Sequence, residues 1–477
     1  MHRCIENYLP SCGIESIMQP NIKAPEQEAT PSHPADTPVI SSPRLQRKPK
    51  KQTLNPLHHS IQAFITQHLP PDTLAKHNLT LTSLPKRFTI YEPLLLLPVN
   101  ALTTPPAWHS LYQELTAAQR QTLFATLLQS FSRYGLTHVA MNAPIALTDP
   151  NSGAENRIRS PGGLIPLYGD FGPMPPASPS FACPAKVEAE GEAALACPTS
   201  RDLEQAFWVR TVQNHGIVQI WAPLYTMFSR GNITEKARIL GNGFEGLDER
   251  QLGEYVSGTS VVDMYAGIGY FVFSYLKRGV KRVWGFEING WSVEGLRRGC
   301  MENGWGCKVF RVGEDGSLLG GHSLREVVER LTEEDRVVVF HGDNRFAAQI
   351  LGEIRESMRP GEWNRVRHVN LGLLPSSCFA YENACRIVDG EMGGWVHVHE
   401  NVNVQAIEAK RDHVTAELGK LREKVLGVKP QSTTTAAAAA AAECRHVEQV
   451  KTYAPGVMHC VFDVRLSSSE ETKASTA

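Results

Sequence analysis

The strongest constraint on this chain is the alternation in its second half. VVDMY (261–265) precedes the helical FVFSYLKRG (271–279), RVWGFEI (282–288) precedes SVEGLRRGCMENG (292–304), and RVVVFHGD (336–343) precedes AAQILGEIRES (347–357). RVRHVNLGLLP (365–375) follows. Short apolar runs separated by amphipathic helices read as βα units, whose parallel strands need crossover helices covering the sheet. The expected fold is therefore α/β, an open Rossmann-like sheet. Towards the C-terminus GWVHVHENV (394–402) alternates as a strand, 404–427 reads as a charged helix, and VKTYAPGVMHCVFDVRL (450–466) as a last strand or pair.

The rest of the chain divides by composition. Residues 1–52 are rich in Pro, Ser, Thr, Lys and Gln and end in the basic cluster Arg44, Arg47, Lys48, Lys50 and Lys51, so a disordered tail is expected. Residues 53–172 read as an α+β domain. It has a helix in HHSIQAFITQHL, a strand over 88–99, a helix or helix pair over 111–135 and a strand over 137–147. A loop from Asn156 to Gly172 gathers Arg157, Arg159, Tyr168 and Asp170. Residues 173–200 look like a low-complexity insertion, 201–466 like the ligand-binding domain with an Ala/Thr insertion at 430–443, and 467–477 like a disordered tail.

Lys and Arg number 48 against 49 Asp and Glu, which excludes attachment to nucleic acid by bulk charge. Any phosphate contact needs a local patch. Candidates are Lys277, Arg278, Lys281 and Arg282, then Arg297 and Arg298, then Arg365 and Arg367, each otherwise a solvated helix face or strand end. No run of about 18 apolar residues offers a membrane span. The N-terminus lacks the apolar stretch of a secretory signal. Ten scattered cysteines without a CxxC pair argue against structural zinc and against a disulfide framework, which points to the cytoplasm.

The chemistry concentrates in Asp263-Met-Tyr-Ala-Gly267-Ile-Gly269-Tyr-Phe, at a strand end that opens a helix. Glycines there let the backbone approach a ligand. Glu287, 24 residues on, ends the next strand where a carboxylate can accept both hydroxyls of a ribose. Asp343-Asn344 ends the following strand, where an adenine edge can be read. A third glycine for a pyrophosphate is missing, so S-adenosylmethionine fits better than NAD.

A second stretch, Trp221 to Lys236, crowds Ser229, Arg230, Asn232, Glu235 and Lys236 beside Met227 and Phe228. A cation there can pair with the cofactor's carboxylate, and Glu235 can serve as a base or bind an ammonium. A helix start capped near Thr234 explains the same residues. The third stretch is Leu373-Leu374-Pro375-Ser376-Ser377, where enzymes that methylate exocyclic amines carry Asn/Asp-Pro-Pro-aromatic. An exocyclic amine is therefore not the expected acceptor. His397 and His399 sit i, i+2 on a strand without an evident third ligand, so no metal is expected. Cys378 and Cys385 read as core or helix residues. Tyr265, Tyr270 and Phe228 are candidate walls for an unstacked base.

With these residues in hand, WAPLYTMFSRGNITEK, VVDMYAGIGYF with FEIN and GDNR, LGLLPSS, GGWVHVHENV and VKTYAPGV resemble the tRNA wybutosine-synthesising protein 2 family. This family is close kin to tRNA guanine-37 N1-methyltransferases. The resemblance spans about 200–466 and, more loosely, 55–172. It implies a class I S-adenosylmethionine-dependent methyltransferase fold with an N-terminal α+β domain. It also implies transfer of the 3-amino-3-carboxypropyl group to 4-demethylwyosine at position 37 of the tRNA(Phe) anticodon loop, with methylthioadenosine leaving. Carried over, Ser229 and Lys236 with Asp263, Gly267 and Gly269 hold the cofactor, Glu287 the ribose and Asp343-Asn344 the adenine. Glu235 and Arg230 are the catalytic candidates, and Leu373, Pro375 and Ser376 line the acceptor pocket. The related methyltransferases have Asn-Leu-Pro where this chain has Leu373-Leu374-Pro375, which favours aminocarboxypropyl transfer over the alternative, N1-methylation. The two insertions depart from the family pattern outside these motifs.

Overall fold

The computed structural model describes residues 55–142, 164–175, 197–228, 232–321, 323–427 and 441–476. Helix α1 (Pro56–His68) starts where a proline lacks no needed donor, and the Asn55 side chain accepts from the His58 N–H at 3.0 Å. Its apolar face, Leu57, Ile61, Phe64 and Ile65, is buried.

Strands β1 (Thr89–Tyr91), β2 (Leu94–Leu97), β3 (His138–Met141) and β4 (Ile165–Tyr168) form one sheet in that order. The single strand expected over 88–99 is thus a hairpin, with Thr89 opposite Leu96. Pro93, which has no ladder donor, sits at the turn. Between β2 and β3 lie α2 (Pro106–Glu114) and α3 (Ala117–Ser130), separated because Thr116 forms a capping box with Gln119. The Asn156–Gly172 loop contains β4, and most of its remainder lies outside the described residues.

The antiparallel pair β5 (Val209–Val212) and β6 (Val218–Trp221) leads to α4 (Ile233–Leu240). Next come β7 (Thr259–Asp263), α5 (Val272–Lys277), β8 (Arg282–Glu287), α6 (Gly290–Glu302), β9 (Gly306–Arg311), α7 (Leu324–Arg330), β10 (Asp335–His341) and α8 (Ala347–Ser357). After these come β11 (Arg365–Leu371), α9 (Tyr381–Ile387), β12 (Gly394–Asn403), α10 (Ile407–Val425), β13 (Ala442–Ala454) and β14 (Val457–Leu466). These strands build an eight-stranded sheet in the order β13-β14-β12-β11-β7-β8-β10-β9. It is parallel from β9 to β12, and β14 and β13 add antiparallel.

Both faces of its central strands are buried, so these read as continuous apolar runs. Val338 and Phe340 face one core cluster while Val337 and Val339 face the other. The N-terminal sheet joins this body through a further cluster in which Tyr91, Phe171 and Val209 meet Trp221, Tyr225 and Trp291. The Tyr225 and Trp291 rings stack at 3.7 Å.

Three elements run against expectation. Strand β9 and helix α7 form between 305 and 331, where no element was expected. The Ser/Thr/Glu-rich end is not a disordered tail: α11 (Ser469–Thr476) forms, the Glu471 N–H donates to Ser468 Oγ at 3.1 Å, and Thr472 is buried. The 430–443 insertion falls largely outside the described residues, but β13 already begins at Ala442. Of 173–200, residues 176–196 lie outside them, and a Thr199-capped helix starts at Ser200. No helix among the described residues is long and apolar enough to cross a membrane.

Candidate functional site

The carboxyl ends of β7, β8, β10 and β11 meet on one edge of the sheet, where open α/β sheets bind ligands. Gly267 turns at φ +54° and Gly269 at +86°. A Cβ on Gly267 would lie 2.9 Å from the Tyr270 ring, and one on Gly269 would lie 2.7 Å from that of Phe273. The backbone is therefore as close to its surroundings as only glycine permits. Glu287 fastens this turn. Its Oε2 accepts from the Gly267 N–H and its Oε1 from the Asn289 N–H, each at 2.8 Å. Desolvation raises its pKa against the lowering pull of these backbone donors.

Asp263 is fully buried. Its Oδ1 accepts from Asn370 Nδ2 and from the Tyr265 N–H, both at 3.2 Å, while Oδ2 has no partner among the described residues. Burial pushes its carboxyl up to about 7. An orphaned buried carboxylate oxygen beside a bare glycine cradle fits an adenosyl amino acid, which supplies both hydroxyls and an ammonium. Asn344 spends its Nδ2 on the Met264 carbonyl at 2.7 Å, and Asp343 caps the next turn through the Arg345 N–H at 2.9 Å. In this structure Asn344 buttresses the site through its side chain.

Lys236 sits beside the turn. Its Nζ reaches Gln219 Oε1 at 3.2 Å and lies 5.5 and 5.7 Å from the ring centres of Phe228 and Tyr270. The Tyr270 hydroxyl donates to the Met227 carbonyl, and this pins the aromatic wall. Tyr265 is only partly buried. Burial lowers the Lys236 ammonium to about 8. A carboxylate bound there needs the protonated form. Affinity for S-adenosylmethionine should thus hold below pH 8 and fall as pH rises through that value. Calorimetry across pH 7–9.5 should show this fall relative to methylthioadenosine, which lacks the carboxylate, and Lys236→Met should remove the Lys-dependent part. An identical pH profile in that variant would contradict the assignment.

Glu235, expected as a base, is not presented to a substrate. It is 1% exposed, and Arg238 engages both its oxygens at 2.8 and 2.7 Å. Arg238 also grips Asp463 at 2.5 and 3.1 Å. Asp463 contacts His397 Nδ1 at 2.6 Å, His397 Nε2 meets His368 Nδ1 at 3.0 Å, and His368 Nε2 meets the Gly246 carbonyl at 2.7 Å.

Gly246 only accepts, so His368 Nε2 carries a hydrogen; one more lies between the rings and a third between His397 and Asp463. Arg238 bridges Glu235 and Asp463, and burial raises the Glu235 carboxyl against the lowering pull of Arg238. Burial and the neighbouring His397 hold His368 well below the usual imidazole range. Burial opposes the charge on Asp463, yet His397 and Arg238 hold it well below the carboxylate range. His399 instead pairs with His459 at 3.0 Å. The two strand histidines thus go to different partners, and no group of three metal-binding side chains occurs among the described residues.

On the loop after β11, where acceptor-pocket residues were expected, Leu373 and Ser376 are partly buried and Pro375 is exposed. Ser376 Oγ and the Tyr381 hydroxyl both donate to Glu400 Oε1, at 2.7 and 3.0 Å, and Lys410 pairs with its Oε2 at 3.1 Å. The Pro375 carbonyl accepts from the Asn401 N–H at 2.9 Å. Cys385 is buried, which pushes its thiol up to about 12. A groove of about 660 Å³ opens between the N-terminal sheet and residues 221–228, with Lys86 and Arg87 at its rim and Phe88, Tyr91 and Phe228 in its wall. Ser229 and Arg230 lie outside the described residues.

Most of the proposed basic patch is structural instead. Arg278 donates to the Leu247 carbonyl at 2.6 Å, Arg282 to that of Asp335 at 2.8 Å, and Arg367 is buried against Glu254 at 2.5 Å. Arg297 and Arg298 share Glu294, Lys281 pairs with Glu333, and Arg365 reaches Glu254 at 3.6 Å; Lys277 is exposed. Asn370, Arg238 and Asp463 escape sequence reasoning, because their partners lie over a hundred residues away or in an unremarkable helix turn.

No protein-family model matches the chain. It is 36% identical to tRNA wybutosine-synthesizing protein 2 of Schizosaccharomyces pombe over 382 residues, which cover 80% of this chain and 72% of that protein. It is 30% identical to the Saccharomyces cerevisiae protein of the same name over 440 residues, 87% of this chain and 81% of that one. A solved structure of Pyrococcus horikoshii TYW2 in complex with MeSAdo aligns over 86% of this chain and 98% of its own, at 17% identity and a TM-score of 0.45. At these identities and coverages of the two yeast proteins, the chain belongs to the tRNA wybutosine-synthesizing protein 2 family.

Proposed function

We propose that this protein transfers the 3-amino-3-carboxypropyl group of S-adenosylmethionine to 4-demethylwyosine at position 37 of tRNA(Phe), in wybutosine biosynthesis, and releases methylthioadenosine. The observation that carries the reading is the set Asp263, Gly267, Gly269, Glu287 and Lys236, assembled on one sheet edge in a chain of this family.

The bound sulfonium supplies an activated carbon on each of its three bonds, and the outcome depends on which one is in line with the nucleophile. The chain's residues do the positioning. Glu287, with lone pairs left after its two backbone bonds, takes the ribose hydroxyls. The free Asp263 oxygen takes a donor of the cofactor, and Lys236 holds the carboxylate. In the balanced reaction the acceptor's ring carbon bonds the γ-carbon, sulfur keeps the electron pair of the broken bond and becomes a neutral thioether, and the ring-carbon proton departs. Leu373 stands where the N1-methylating kin carry Asn, so no side-chain amide there holds a guanine edge. The Lys86–Arg87 rim of the groove suits anticodon-loop phosphates.

Incubation with tRNA(Phe) carrying 4-demethylwyosine should yield methylthioadenosine, and a transcript with unmodified guanosine at position 37 should yield none. Release of S-adenosylhomocysteine alone would overturn the reading.

A further inference from the structure

Phe379 is 84% exposed, and it lies three residues beyond Ser376 on the loop that follows β11. It stands at one end of a groove of about 600 Å³ between α8 and α9, lined also by Arg345, Gln349, Glu382, Asn383 and Arg386. The groove is tied to the cofactor edge. Asn383 Nδ2 donates to the Asn344 and Arg345 carbonyls at 3.3 and 3.0 Å, and the Cys378 N–H donates to Ser376 Oγ at 3.3 Å.

The surroundings select the occupant. A protein partner that buries a phenylalanine needs apolar neighbours around it, but beside Phe379 this groove offers only Ala348 and Val425 among guanidinium, amide and carboxylate groups. Arg345 and Arg386 are exposed; Arg386 pairs with Glu382 at 2.7 Å and Lys424 reaches the same carboxylate at 3.4 Å, so three cations face the one carboxylate of the groove lining. A bare aromatic face between cations is what an unstacked base and its flanking phosphates require.

We propose that Phe379 is a stacking platform for an unpaired nucleotide of the RNA substrate next to the acceptor, with Arg345 and Arg386 holding its phosphates. This rests on the reading of the substrate as tRNA.

The test measures binding of an anticodon stem-loop oligoribonucleotide of tRNA(Phe) to the full chain, alongside S-adenosylmethionine affinity and melting temperature. Phe379→Ala and Phe379→Leu should each weaken RNA binding roughly 5- to 150-fold, while Phe379→Trp restores it and cofactor affinity stays unchanged. Arg386→Glu should weaken binding and flatten its salt dependence by one to two contacts. RNA affinity unchanged in Phe379→Ala and Arg386→Glu would overturn the platform. Wild-type affinity in Phe379→Leu would point to an apolar protein contact and overturn it too. Failure of the transferase reading is separate, since it would show as the wrong co-product from wild-type protein that still binds this RNA through Phe379.

Discussion

Asp463→Ala is expected to destabilise the sheet domain by about 3–5 kcal/mol, the cost of removing one partner from a buried ion pair. The carboxylate is 3% exposed and is engaged by both Arg238 and His397. Without it, Glu235 alone answers Arg238 and His397 Nδ1 loses its partner. Asp463→Asn should cost much less. A neutral amide there keeps the chain of hydrogen bonds: its oxygen can accept from Arg238, its NH₂ can donate to His397 Nδ1, His397 Nε2 can donate to His368, and His368 can donate to Gly246.

The pH dependence separates the two variants further. Asp463 has a folded pKa below its unfolded one, so its stabilisation is present above about pH 4 and is lost as pH falls towards the folded value. Asp463→Asn should lack that acid limb. Urea midpoints at pH 7 and at about pH 2.5, below the unfolded carboxylate value, followed by tryptophan fluorescence, check both points. Equal midpoints for wild type and Asp463→Ala would show that the network does not hold α4 to β14.

Glu287→Ala is expected to weaken S-adenosylmethionine binding by about 1.5–3 kcal/mol, roughly 10- to 150-fold. Two effects add: the ribose hydroxyls lose a charged acceptor, and the Gly267 and Asn289 N–H groups lose theirs, which frees the turn. Glu287→Gln should be nearly as damaging, because its amide NH₂ must face one of these two N–H donors. Calorimetric titration reads the effect directly. Unchanged affinity in Glu287→Ala would place the ribose elsewhere.

What the sequence makes legible is local. The Gly267–Gly269 turn shows because only glycine tolerates those angles, and Glu287 shows because it ends the next apolar run. The strands flanking the site show as β-branched runs buried on both faces. Strand β9 does not, because Gly306-Cys-Lys-Val-Phe-Arg lies at a half-exposed edge and lacks an apolar signature. Helix α11 does not, because a Ser/Thr/Glu composition resembles disorder until Ser468 caps it and Thr472 finds a buried place.

Long-range pairing is the deeper obstacle. Arg238 meets a carboxylate 225 residues away, and that contact turns Glu235 from a free base in the linear reading into one member of a neutralised chain. Arginines mislead in the same way. Arg278, Arg282 and Arg367 read as solvated cations in a string of letters, yet each folds back to satisfy carbonyls that loops and strand ends leave open.

The most direct test of the transferase account supplies the enzyme and precursor tRNA(Phe) with S-adenosylmethionine labelled either in the carboxyl carbon or in the methyl carbon, and counts label in the recovered RNA. The account predicts carboxyl label in the RNA and methyl label only in released methylthioadenosine. Methyl label in the RNA, with carboxyl label left in solution, would contradict it.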